Sequence, residues 1–313
     1  MELNSDTVTS RQLGCLGLIA AVIRKLKLIE KIDERLDVDF DKGAIVSCGE
    51  RVAAMILNGL GFMNSRLYMT PHYFQDKPVA TLLRDGIGSE HLNDDCLARG
   101  LDKIAAYGTT QLFSEIAFEV AREQNLLGNA FHLDSTSFTL YGDYDDTTDS
   151  PLPTYGFSKA NRPDLKQVML SLTQGGAANL PLWMEAQDGN TSDKKSFHET
   201  VRRVQQFMTQ IKAVPDNLFF VVDAAFYDEE KLKELDNVKW ITRVPATLRL
   251  SQTWLQTGNS QLNWQQVDEH NQIVSKVVEQ NGLVQRWVMI RSQAAFAREK
   301  KHYGGRYKIL TMN

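Results

Sequence analysis

Two aspartates occupy positions at which an enzyme could hold a divalent metal. Asp134 lies in FHLDSTSF, inside a predicted strand, and alternation places His132 and Thr136 on its face. Asp223 ends the apolar strand of LFFVVDAAFY, and α/β sheets gather ligands at such strand ends. Neighbouring carboxylates repel unless a cation compensates them, and oxygen-ligated Mg²⁺ suits that role. The pattern indicates phosphodiester chemistry; a structural alternative, with Asp223 capping a helix and Asp134 a satisfied acid, stays open.

A basic segment follows Asp134 in the sequence. The segment GFSKANRPDLKQ carries four polar or cationic side chains around Pro163: Lys159, Arg162, Lys166 and Gln167. Cations in this position are suited to contact a DNA backbone, although a solvated loop would carry the same residues. Residues 188–199 form a turn that leads into a helix, and residues 286–308 combine basic and aromatic side chains. Both are weaker indications of anion or nucleic-acid binding.

The elements that must position these residues fall into three parts. Residues 1–128 show mostly helical periodicity, with an apolar stripe from Leu13 to Leu26 and predicted helices at 51–60, 94–107 and 110–125. Residues 129–249 alternate predicted strands with helices, as in an α/β domain, and include a helix at 196–214 with a capping-box spacing at its start. Residues 250–313 are predicted to be short strands of a small β-rich module, the first at 250–254.

The composition narrows the class of protein. The chain has 313 residues, 42% apolar and 24% charged, and its formal net charge is −4, so nothing global indicates a nucleic-acid partner. The three cysteines lack zinc-ligand spacing, and no apolar stretch is long enough to span a membrane. With no signal peptide at the N-terminus, we expect a cytoplasmic protein. Phosphate-binding glycine motifs and hydrolase or zinc-protease motifs are absent from the sequence.

Four motifs in order resemble the DDE transposases of bacterial insertion sequences. They are FHLDSTSF, YGFSKANRPDLKQ, DGNTSDKKSF and FFVVDAAFY. The segments ILNGLGFMNSRLYMTPHYFQDKPVATLL and GIGSEHLNDDCLARGLDKI resemble the helical N-terminal domain of the branch that has a β-rich insertion. The resemblance implies an RNase H-like domain of mixed sheet and flanking helices at 129–249. A helical domain would precede it at 1–128, and a partial β-rich insertion would follow at 250–313.

The resemblance also implies chemistry and partners. Asp134 and Asp223 match the family's first two catalytic aspartates and would bind Mg²⁺ or Mn²⁺ for strand nicking and strand transfer. Lys159, Arg162 and Lys166 would contact DNA, the partners being transposon ends and target, and a homodimer across paired ends is expected. The family's third acid is a glutamate in a Tyr…Arg…Glu…Lys helix after the insertion. Glu299 does not match it.

The missing glutamate makes this chain, by resemblance, a C-terminally truncated transposase. We expect it to be inactive in transposition by itself, because a metal position would lack its ligand. Three alternatives stay open at this point. The chain could be a non-catalytic DNA-binding or regulatory fragment, another RNase H-like nuclease, or the product of a pseudogene with no stable fold.

Overall fold

The computed structural model describes residues 10–36, 43–60, 66–146, 148, 151–176, 178–235, 238–257, 261–294, 297 and 308–312. Two compact units divide the chain after Val120. Within the described ranges, no helix has both the length and the apolar character needed to cross a bilayer.

The first unit is helical, as predicted. Its helices are α1 (Leu16–Lys25), α2 (Leu28–Asp33), α3 (Cys48–Leu60), α4 (Thr70–Phe74), α5 (Val79–Leu82), α6 (Asp94–Tyr107) and α7 (Thr109–Glu123). Leu16, Ala20 and Ile23 of the predicted stripe are buried in its main core. A smaller cluster joins Ile32 of α2 to Leu112 of α7. The apolar side chains that recur at helical spacing therefore form the two cores against which these helices pack.

Side-chain caps set the ends of two helices that matter below. Ser47 and Glu50 form a reciprocal capping box at the start of α3: each side chain accepts a hydrogen bond from the other residue's backbone N–H. Asn93 caps α6 by accepting from the Cys96 N–H at 2.9 Å, and Gly108 ends α6 at a positive φ. These local signals explain why α6 was predicted at its observed bounds.

The second unit is built on one mixed sheet. Its strands are β1 (Ala130–Thr139), β2 (Gln167–Gly175), β3 (Leu180–Asp188), β4 (Phe219–Val222), β5 (Lys239–Arg243), β6 (Gln265–Gln266), β7 (Asn271–Gln280), β8 (Leu283–Ser292) and β9 (Lys308–Met312). The strand order is β3-β2-β1-β4-β5-β9-β8-β7-β6. Strands β1, β4 and β5 are parallel to one another, and every other neighbouring pair is antiparallel.

The first five strands have the RNase H-like arrangement that was expected. Three antiparallel strands lead into two parallel ones, and the crossover from β3 to β4 runs through α8 (Asp193–Gln210). Trp183 of β3 packs against Phe207 of α8 with ring centroids 5.5 Å apart. The α8 stripe of Phe197, Val201 and Val204 is buried. Helix α8 therefore covers one face of the sheet.

The later strands continue the same sheet through β9, which pairs with β5 on one side and β8 on the other. The expected domain boundary at residue 249 lies inside this continuous sheet. Two short helices accompany the later part of the unit, α9 (Glu229–Lys233) and α10 (Arg249–Leu255).

Two local predictions were wrong. Residues 250–254 belong to helix α10 rather than a strand: Ser251 Oγ donates to the carbonyls of Pro245 and Leu248, and Trp254 packs on Trp287. Helix α8 begins three residues before Ser196, so the predicted capping box there does not form.

Candidate active site

Asp134 and Asp223 each come directly after one member of a residue pair that joins two adjacent parallel strands. Leu133 of β1 is paired with Val222 of β4, and each aspartate is the next residue of its chain. Neighbouring strands lie about 4.8 Å apart, so this register brings the two backbones together at the carboxyl end of β4. The sequence prediction that the two aspartates are neighbours is therefore consistent with the strand pairing.

Alternation gives the aspartates a shared open face. On β1, Phe131, Leu133 and Ser135 are buried, whereas His132 and Asp134 are exposed. Because α8 covers the buried face, the aspartates lie on the opposite one. A cavity of about 760 Å³ opens there and is lined by polar and apolar side chains of β1, β2 and β4 and the β2–β3 turn: His132, Asp134, Thr136, Leu172, Gln174, Asn179, Val221 and Asp223.

Each aspartate uses one carboxylate oxygen locally. Asp134 Oδ1 accepts a hydrogen bond from the Ser135 N–H at 2.8 Å. Asp223 Oδ1 accepts from the Ala225 N–H, also at 2.8 Å, and so caps the 3-10 turn that follows β4. The capping role considered from sequence is thus real for Asp223, but capping occupies one oxygen of two. It does not exclude a ligand at the other.

The backbone of Asp223 is fixed from the neighbouring strand. Thr242 of β5 is buried, and its hydroxyl donates to the Asp223 carbonyl at 2.5 Å. This bond joins the third parallel strand to the point where β4 ends. The sequence contains a signal for this residue, because Thr242 is polar and follows two apolar residues in WIT. That signal does not indicate that Thr242 bonds to Asp223.

The donor set of the cavity fits a hard cation. Carboxylate oxygens are the ligands that Mg²⁺ and Mn²⁺ prefer, and the two aspartates meet at one wall of the cavity. In the part of the chain that the structure describes, no group of three or more histidines, cysteines, aspartates or glutamates is placed to hold a metal. Among the described residues, the carboxylates that line this cavity are thus the two of Asp134 and Asp223.

Comparison with known protein families shows to which family the chain belongs. Residues 128–308, more than half of the chain, match the family described as the transposase DDE domain. The chain belongs to the transposase DDE domain family. Both aspartates lie inside the matched region, as the resemblance read from the four motifs implied. Residues 8–118 match a second family, a domain of unknown function (DUF4277). No curated protein matches the chain.

Two solved transposase structures are similar to this DDE-family chain, each at 11% sequence identity. One is the piggyBac transposase synaptic complex with hairpin DNA. The match covers 98% of the present chain and 63% of the piggyBac chain, with a TM-score of 0.42. The other is the Mos1 transposase paired-end complex with the left transposon end. The match covers 62% of the present chain and 57% of the Mos1 chain, with a TM-score of 0.25. The chain thus spans less than two thirds of the length of the piggyBac transposase chain.

In this transposase-family chain, the loop between β1 and β2 brings Lys159 to strand β1, at the residue that follows Asp134. The Lys159 ammonium donates to the backbone carbonyl of Ser135, the residue after Asp134. Of the three cations predicted to contact DNA, Lys159 is therefore the one tied to the cavity strand.

The other two predicted DNA contacts are paired within the loop. Arg162 makes two hydrogen bonds to Asp164, at 2.9 and 2.7 Å, and lies over the Tyr141 ring. Lys166 is paired with Asp145. The Arg162–Asp164 pair is exposed, so it costs little to exchange for a phosphate, whereas Lys166 is half-buried and also donates to the Asp143 carbonyl. The two ion pairs make the loop less basic than its sequence indicates.

Gln167 has a structural role that the sequence did not indicate. It was grouped with the cations of its loop, but it is 2% exposed, and its Nε2 donates to the Gly189 carbonyl at 2.8 Å. The side chain ties the loop to the turn before α8. Sequence reasoning also missed Gln174 and Asn179 in the cavity wall, because nothing in a single sequence pairs β1 with β2. Glu299 and most of the basic 286–308 stretch lie outside the described residues.

Proposed function

We propose that this chain carries the DNA strand-nicking and strand-transfer site of an insertion-sequence transposase that uses Mg²⁺ or Mn²⁺. The observation that carries the proposal is the pair Asp134 and Asp223, in equivalent positions of adjacent parallel strands and at one cavity. Membership of the transposase DDE domain family supports it.

In this proposal the two aspartates hold the metal with the oxygens that their local hydrogen bonds leave available. The chemistry that a divalent metal supplies when bound there is activation of a water or 3′-hydroxyl and stabilisation of the leaving oxygen. Lys159, anchored beside Asp134, and the cations Arg162 and Lys166 bind the DNA backbone. The partners would be transposon ends and target DNA, with two copies of the chain across paired ends.

The test is metal binding and DNA cleavage by the whole chain. We expect Mn²⁺ titrated calorimetrically to bind the wild type, and Asp134→Asn and Asp223→Asn each to weaken binding by at least about tenfold, because each removes a charged ligand. Asp216→Asn is the matched control, since Asp216 is exposed in the turn before β4. Unchanged Mn²⁺ binding in both site variants would refute the proposal.

Cleavage is expected to be weak, because no third carboxylate joins the two aspartates among the described residues. End-specific cleavage in Mn²⁺ should therefore be no greater for the wild type than for Asp134→Asn. Robust cleavage that needs Asp134 would show that the site is sufficient as it stands and would overturn this part of the proposal.

A second function is favoured because no third carboxylate joins Asp134 and Asp223 among the described residues: a non-catalytic chain that binds transposon ends and regulates a full transposase. This alternative predicts salt-dependent binding to end duplexes with no dependence on the metal or on either aspartate. Loss of Mn²⁺ binding in the aspartate variants would argue against it.

A further inference from the structure

The first unit contains a buried arginine without a visible partner. Arg51 of α3 is 7% exposed, and its Nε is buried with no hydrogen-bond partner among the residues that the structure describes. A guanidinium is always charged, and buried polar groups are nearly always satisfied. The Nε of Arg51 therefore leaves a donor that no described protein atom satisfies, on a side chain that lines a cavity.

The neighbouring residue, Glu50, is a buried charged residue whose carboxylate has partners within the first unit. Glu50 is equally buried, but it accepts hydrogen bonds from the Ser47 N–H and is paired with Arg84. Arg51, one residue along the helix, takes part in no ion pair with a described carboxylate.

Arg51 lines a cavity of about 600 Å³ whose rim carries further charges. Arg99 and Lys103 reach the cavity from the same face of α6, four residues apart. The acids and the histidine of the lining are Glu90, Asp102 and His91. Glu90 and Asp102 are exposed, so water screens them, whereas the Arg51 charge is buried. Among the described charged residues of the lining, the buried one is therefore the cation Arg51.

A glycine permits this placement. The stem of Arg51 lies against Gly100 of α6, where an added Cβ would be 3.0 Å from Arg51 Cδ. A Cβ at position 100 would press on the Arg51 stem, which would have to shift by a few tenths of an ångström. Beside the apolar core that α3 and α6 share, this close approach leaves room for the Arg51 stem at the cavity wall.

We infer that this cavity is a phosphate-binding site, which takes a phosphate group of the DNA backbone. A guanidinium fork matches phosphate oxygens, and Arg99 and Lys103 supply further positive charge at the rim. The inference rests on the proposed function, because it takes DNA as the source of the phosphate; free inorganic phosphate is the other source of the same chemistry. It assigns a ligand to the domain of unknown function. It also gives DNA a local contact in residues 1–130, which carry 14 Lys and Arg against 18 Asp and Glu.

The experiment compares inorganic phosphate with duplex DNA on the full chain. Calorimetry measures phosphate binding at low salt, and fluorescence anisotropy measures DNA affinity across a salt series. Arg51→Met keeps the stem and removes the charge. Arg66→Met, at an exposed arginine of the same unit, is the matched control.

The wild type and Arg66→Met should both bind phosphate. Arg51→Met should lose it, together with about tenfold in DNA affinity and about one unit of salt slope. Phosphate binding that depends on Arg51, with DNA affinity unchanged, identifies the free anion as the source and overturns the DNA assignment. No phosphate binding by the wild type, or equal binding by Arg51→Met, overturns the site.

Two further variants keep the test informative if Arg51→Met fails to fold. Gly100→Ala presses an added Cβ on the Arg51 stem without changing any charge, and Arg99→Gln removes a cation from the exposed rim. Both should weaken phosphate and DNA binding together; wild-type binding in both, with normal melting curves, overturns the site. Mn²⁺ binding at the aspartates separates the two proposals, since it depends on Asp134 and Asp223 and not on Arg51.

Discussion

His198 of α8 is a buried histidine held by apolar contact. It is 4% exposed, its ring stacks on Phe226 with centroids 4.3 Å apart, and both ring nitrogens are without a hydrogen-bond partner among the described residues. Burial, followed by the nearby charge of Lys231, lowers the pKa of His198 to about 4. The histidine is therefore neutral in the folded protein at physiological pH.

This burial predicts a pH-dependent stability. The ordinary pKa of histidine is about 6.5, so protons bind the unfolded chain first as the pH falls. The free energy of unfolding should therefore decline from about pH 6.5 towards pH 4, by about 2 kcal/mol from this residue. Chemical denaturation at pH 7 and pH 4.5 measures the loss, and His198→Leu should reduce it. An equal loss in both proteins would show that other groups cause it.

Individual residues differ in how far the sequence reveals them. Asp134 and Asp223 were found because a carboxylate in or after an apolar strand departs from a local pattern. Arg51 and Thr242 were not found, because their significance lies in contacts with α6 and with the end of β4. Gln167 was misjudged for the same reason: its neighbours in sequence are exposed cations, whereas its partner is Gly189.

Among the helices, α2 and α7 are joined by charged side chains. Arg35 donates to Glu115 at 2.9 Å and to Glu119 at 2.7 Å, and Glu119 is also paired with the buried Lys31. Burial raises the pKa of Glu119, but hydrogen bonds from Lys31 and Arg35 outweigh it and hold the pKa below its ordinary value. This network lies beside the apolar contact between Ile32 and Leu112.

We expect Glu119→Gln to destabilise the first unit by about 1–2 kcal/mol, because it leaves Lys31 and Arg35 with less compensation while Glu119 is itself one third exposed. Since the folded pKa is lowered, the contribution is present above about pH 4.5 and lost as the pH falls through the folded value. Thermal melts from pH 7 to pH 3 should show wild type and variant converging in acid. Glu34→Gln, at an exposed acid of the α2 end, is the control and should melt like the wild type.

Element prediction succeeded where local signals agree with tertiary contacts. Helix α6 has an Asn cap, a first turn of acids and a terminal glycine, and its bounds were predicted as observed. The capping-box spacing at Ser196 and Glu199 was misleading, and the box that does form, Ser47 with Glu50, went unnoticed. The α10 segment was taken for a strand because a short apolar run lacks a decisive period, and packing of Trp254 on Trp287 favours the helix.

At the level of the whole molecule, net charge bears on DNA binding and the order of the strands bears on the fold. A net charge of −4 gives no general attraction to DNA, so the proposed DNA binding would depend on local cations such as Lys159 and, by our inference, Arg51. The mixed sheet of the second unit was expected from the family resemblance. Its strand order was not predicted, since alternation identifies strands without ordering them. The continuation of the sheet through β9 was unforeseen because it requires pairing across many residues.

The first unit has its own apolar core, so it should fold without the second. We expect a fragment of residues 1–125, which keeps all of α7, to be helical by circular dichroism and to melt in one cooperative transition. A fragment of residues 1–107 is the control. It lacks Leu112 and Ile116 of the smaller core cluster and the partners of Lys31 and Arg35, and should melt without cooperativity. Non-cooperative melting of both fragments, beside a cooperative full chain, would mean that the first unit depends on the second for its stability. The anion site would then have to be studied only in the intact protein.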